Sequence, residues 1–176
     1  MNYIKTQGQR LSMKITLHTT VYIEGDRVVM KNNNNVLAFV LLDHDKGEIT
    51  SATITKLYFI KPQIEEVLKK SLKHLKDGNR IQESINIEVN IEILPEYYFR
   101  DVVLLQMFDN FSQKYSKYTT VKLLQYAKEG RIALVTIKDQ PVGFGLLDKE
   151  KAKILKTYID THYKHLGIEQ IFNHEG

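Results

Sequence analysis

Three groupings of residues in this sequence have the side-chain types that site chemistry requires. Asp43-His44-Asp45-Lys46-Gly47-Glu48 sets carboxylates at alternate positions, as a calcium-binding loop does. Such a loop needs glycine at its sixth position and glutamate at its twelfth. Glu48 and Ile54 stand there instead, so the segment reads as a hairpin turn. His162, His165 and His174 suggest a metal, but no Cys or nearby paired carboxylate completes a tetrahedral set, and surface histidines are the better reading. The third grouping is Tyr163-Lys164-His165-Leu166-Gly167-Ile168-Glu169, which places a glycine where a strand passes into a helix. With no Cys anywhere, a cysteine nucleophile, a thiolate zinc site and a disulfide scaffold are all excluded.

The elements that must position these residues follow from the patterning. The chain has 176 residues, room for one domain or two small ones, and its 43% hydrophobic and 26% charged content suits a globular protein. Residues 1–12 are polar and aperiodic and are expected to form a flexible extension. From Ile15 to Ile60 the pattern is strands and short turns, with Asn32–Asn35 as a hairpin loop and Ile49–Ile60 as a long β-branched run. Pro62 opens a helix carrying Ile64, Val67, Leu68, Leu72 and Leu75, supported by Glu65/Lys69 and Glu66/Lys70 pairs and ended by Gly78. Its Lys69, Lys70, Lys73 and Lys76 read as a solvated face. Ile85–Ile93 alternates aliphatic and polar residues, a half-buried strand. Tyr98–Tyr115 is expected to be helical, burying Val102, Leu105, Phe108 or Met107, and Phe111, and Tyr118–Lys128 to be a second helix. Strands at Arg131–Lys138, Val142–Leu147 and Ala152–Asp160 complete the pattern.

The stretch from Gly130 to Leu146, an apolar strand turning at Asp139 into the Val142-Gly143 strand, and the Tyr163–Glu169 junction are similar to the GNAT superfamily of acyl-CoA-dependent N-acyltransferases. The resemblance covers residues 98–176 or so. It implies an α/β (α+β) fold with a mixed, mostly antiparallel sheet and flanking helices. It also implies that Lys164, His165, Leu166, Gly167 and Ile168 line the pyrophosphate of acetyl-CoA. A turn with outward N–H groups ahead of a helix is a nest for that anion. The backbone of Tyr158, Ile159 and Asp160 would pair with the pantetheine arm. Asp160 is the candidate general base, with Tyr158 and His162 nearby. Lys164 stands for the family's Arg or Gln and keeps a cation. Glu169 stands for Gly or Ala and brings a negative charge toward the diphosphate. The family's turn is followed by a longer helix and a further strand, whereas ten residues remain from Gly167, so residues 96–176 read as a truncated GNAT-like region.

Residues 13–95 carry a strand–helix–strand pattern without a glycine nest. They either complete a composite sheet or form a second, degenerate module in tandem; the remaining alternative is a truncated chain that folds poorly. The functional expectation is acetyl transfer from acetyl-CoA to a small-molecule or peptide amine. The alternative is a catalytically silent GNAT-like module that binds a partner or pairs as a homodimer. The net charge of +4 is spread along the chain, which argues against nucleic acid, and no apolar run approaches the ~20 residues that span a bilayer. Without a signal-like N-terminus the expected location is cytoplasmic.

Overall fold

The structure is a computed structural model and describes residues 9–43, 48–54, 60–76 and 78–173. In chain order it contains β1 (Arg10–Glu24), β2 (Arg27–Asn32), β3 (Asn35–Asp43), β4 (Glu48–Ile54), α1 (Lys61–Leu72) and β5 (Arg80–Ile93). There follow α2 (Val102–Lys114), α3 (Thr120–Lys128), β6 (Ile132–Ile137), β7 (Gln140–Leu147), β8 (Ile154–Ile159) and α4 (Gln170–Asn173), with 3-10 helices at Glu96–Tyr98 and Thr161–Leu166. The fold is α+β. Eight strands pair in the order β4-β3-β2-β1-β5-β6-β7-β8. The neighbours are antiparallel. For β1 and β5 the side-chain bonds Ser12–Asn90, Thr16–Asn86 and Thr20–Gln82 advance along one strand as they retreat along the other. Residues 10–12, expected in the extension, thus belong to β1.

The chain divides into two units, Thr16–Ile87 and Met1–Ile15 with Glu88–Gly176. In the Thr16–Ile87 unit, β2 and β3 bury Val28, Met30, Leu37 and Val40, and α1 buries Ile64 and Leu68. The helix starts at Lys61, with Pro62 in its first turn as its fixed φ favours. It ends at Leu72, six residues before Gly78, and Leu75 beyond it is only partly covered. The ion pairs differ from the expected Glu65/Lys69 and Glu66/Lys70: Lys61 meets Glu65 one turn on at 3.7 Å, and Lys70 meets Glu83 at 3.8 Å. The Asn32–Asn35 hairpin forms with Asn33 at φ 52°. Most of the Asp43–Glu48 loop and part of Ile49–Ile60, like His174, lie outside the described residues.

The other unit holds the elements around the predicted chemistry. Asp101 caps α2 by accepting from the Leu104 N–H at 3.0 Å, and Thr119 caps α3 by accepting from the Lys122 N–H at 3.2 Å. Because α2 begins at Val102, its inner face is Leu104, Met107, Phe108 and Phe111; Val102 is 80% exposed and Leu105 only partly covered. Ile132, Leu134, Phe144 and Leu146 meet that face from the sheet. The β6–β7 turn consists of Lys138 and Asp139, both at positive φ as a tight hairpin requires. On β7 the residues alternating with Phe144 are Gly143 and Gly145. They form a flat shelf on the opposite face, over which Ile159 at the end of β8 and Phe172 of α4 lie.

Candidate functional site

β8 is the last strand in the sheet order and ends at Ile159. The Asp160 N–H donates to the Val142 carbonyl at 2.9 Å. Antiparallel alternation therefore directs the backbone groups of Tyr158 and Asp160 toward β7, and those of Thr157 and Ile159 toward the outer edge. Of the three residues expected to pair with a pantetheine arm, Ile159 is the one whose backbone groups point to the outer edge of β8.

Tyr158 lies against the helix side. Its ring stacks on Phe144 at 5.6 Å and meets Phe111 edge-on at 6.4 Å. Its hydroxyl accepts from the Asn110 amide at 3.2 Å. Sequence reasoning missed Asn110; the available signal was its i,i+4 spacing from Gln106, whose amide it accepts at 3.0 Å. Asp160 turns elsewhere. Its Oδ1 caps the 3-10 helix by accepting from the His162 N–H at 3.0 Å, and the same oxygen lies 2.8 Å from His162 Nδ1. Asp160 is largely covered while His162 is 86% exposed, so this is a carboxylate–imidazole pair open to solvent on its imidazole side. Burial, and then the nearby Asp160 charge, push the Tyr163 phenol up from its ordinary value. Among the described residues no hydrogen bond joins Tyr158 to Asp160.

The Lys164–Ile168 segment differs from a turn that opens a helix. Thr161–Leu166 is itself a 3-10 helix, and Gly167, at φ 73°, closes it with its N–H directed to the Lys164 carbonyl at 3.4 Å. The cause is local: the Asp160 cap fixes the chain into a helical turn directly after β8. Gly167 therefore sits at a carbonyl end. The following α4 spans four residues and carries little dipole. Leu166 and Ile168 are buried, as are Ile171 and Phe172, so they offer a ligand backbone groups only. Lys164 and Glu169 are exposed.

A second polar group lies across the same face. Glu92, Leu134, Phe144 and Tyr158 stand in one cross-strand row, so three strand spacings separate Glu92 from Tyr158. Glu92, Asn90 and Thr136 are buried there, and the Ser12 hydroxyl donates to Asn90 Oδ1 at 2.6 Å. Tyr98 donates to the Asp139 carbonyl at 2.9 Å. Burial first, then Tyr97, Asp139 and Glu92, push its phenol up to about 12. Arg10 pairs with Asp139 at 3.1 Å, a bond that raises its own pKa. Among the described residues no three His, Cys, Asp or Glu side chains converge as metal ligands, and no helix is long and apolar enough to cross a membrane. Comparison with protein-family models, curated proteins and solved structures found no match.

Proposed function

We propose that residues 96–176 are GNAT-like and transfer an acetyl group from acetyl-CoA to an amine. The observation that carries this reading is β8: an outermost strand that ends in Tyr158-Ile159-Asp160, turns Ile159 to its open edge and leads into the Lys164–Gly167 turn. The order of two helices, three antiparallel strands and a glycine turn agrees with it. The thioester lies along the β8 edge, and the Ile159 N–H donates to the carbonyl oxygen as negative charge develops there. The amine nitrogen bonds to the acetyl carbon, the carbon–sulfur bond breaks, and CoA leaves as the thiolate. The amine proton passes to the Asp160–His162 pair. Exposed Glu169 directs its charge into solvent, which limits its repulsion of a diphosphate.

One observation favours a second reading, a catalytically silent module that binds a partner or itself: Gly167 closes a 3-10 helix instead of opening a long one. Calorimetric titration with acetyl-CoA separates the two. The transferase reading expects micromolar binding, abolished by Gly167→Asp and tightened by Glu169→Gly, with circular dichroism confirming that each variant folds. No binding by the folded wild-type chain would retire it.

A further inference from the structure

The α2–α3 corner gathers cations without neutralising them. Lys114 Nζ lies 5.4 Å and Lys156 Nζ 4.7 Å from the centre of the same Tyr115 ring, and Lys117 Nζ lies 5.0 Å from that of Tyr118. Both rings rest on Phe111, at 4.9 and 5.7 Å, so they are fixed by the core. Lys122 Nζ adds a fourth charge by donating to the Lys117 carbonyl at 3.3 Å. None of these four lysines has an ion-pair partner among the described residues. The acid on these helices, Asp109, accepts from the Thr120 hydroxyl, and Asp160 beyond β8 is held by His162. Aromatic faces hold a cation in place without cancelling its charge. Mutually repelling lysines steadied in this way form a field that an anion relieves.

We propose that Lys114, Lys117 and Lys156, arrayed on Tyr115 and Tyr118, bind the anionic group, phosphate or carboxylate, of a small amine-bearing ligand. Lys156 is two residues from Tyr158 on one face of β8, and Phe111 touches both Tyr115 and Tyr158. On the acyltransferase reading, on which this role rests, the ligand is the acceptor.

The test is titration of the full chain with O-phosphoethanolamine, β-alanine and ethanolamine, followed by amide NMR without acetyl-CoA. The expected result is saturable binding of one or both anionic probes, with shifts at residues 114–118 and 156 and none from ethanolamine. The preferred probe distinguishes phosphate from carboxylate. A Lys114→Gln/Lys156→Gln variant should bind at least tenfold more weakly at unchanged melting temperature, and a Lys149→Gln control should bind normally. Equal response to ethanolamine, or no loss in the variant, would overturn the proposal. Because acetyl-CoA is absent, anion binding here together with failure of acetyl-CoA to bind would refute the acyltransferase reading separately.

Discussion

Replacing Gly143 by alanine tests the packing that sets the end of β8. A Cβ at Gly143 would lie 2.5 Å from the Tyr158 carbonyl oxygen, 2.6 Å from Ile159 Cδ1 and 3.3 Å from Ile159 Cα. Two of these neighbours are backbone, so β8 must move away from β7 by about an ångström at the residues that carry the site. Overpacking of this kind costs ~1–3 kcal/mol. Weakening the Asp160–Val142 bond adds roughly 0.5–1.5 kcal/mol, while the stiffer unfolded chain returns about 0.4–1. The net expectation is a loss of about 0.5–4 kcal/mol, centred on about 2, which at the centre is roughly 4–8 °C in melting temperature for a chain of this size. Gly145→Ala is the internal control. Its Cβ meets Phe172 Cε1 at 2.9 Å, a ring edge that can tilt, so its loss should stay within about 1 kcal/mol. Urea unfolding followed by circular dichroism measures both. If Gly143→Ala proves as stable as wild type, or less harmful than Gly145→Ala, the reasoning from the glycine shelf is wrong.

Two other perturbations address the polar groups on the Phe144 side of the sheet. The Tyr98 phenol is raised from 10.0 to about 12, so its neutral form is favoured by folding. The corresponding stability is intact below pH 10 and is lost as pH rises through about 12, on the order of 2 kcal/mol. Urea midpoints across that alkaline window should fall more steeply for wild type than for Tyr98→Phe; parallel curves would contradict the assignment. Thr136 Oγ1 is buried with no hydrogen-bond partner among the described residues. Thr136→Val should therefore leave stability unchanged or raise it by about 1 kcal/mol, and a clear loss would reveal a partner for that hydroxyl.

Regular periodicity was legible where one physical cause governed it. The alternation of Ile85–Ile93 stands as a strand, and the turn expected over residues 138–141 forms at Lys138-Asp139, with Gln140 and Pro141 already in β7. The α2 face was legible in part: Met107, Phe108 and Phe111 are buried as expected, but residues 102–105 are all apolar, and packing in the helix–sheet core selects Leu104 over Val102 and Leu105. Asn90 and Glu92 read as a solvent face in one strand. Their burial depends on what covers the neighbouring strands, which no local pattern encodes. The lysine corner was invisible for the same reason, since Lys156 reaches Tyr115 from a distant strand. At the candidate site, the Tyr158-Ile159-Asp160 strand end was visible in the sequence. The 3-10 helix after it was not, because it depends on a cap made by Asp160, a residue first read for its acidity.

The central claim is that acetyl-CoA engages the outer edge of β8 and the turn that follows it. Amide NMR during titration with acetyl-CoA tests this directly, residue by residue. The account predicts saturable shifts at Thr157, Ile159, Lys164, Gly167 and Ile168, absent in Gly167→Asp. Saturation with shifts confined to other elements, or no shifts in the folded chain, would contradict it.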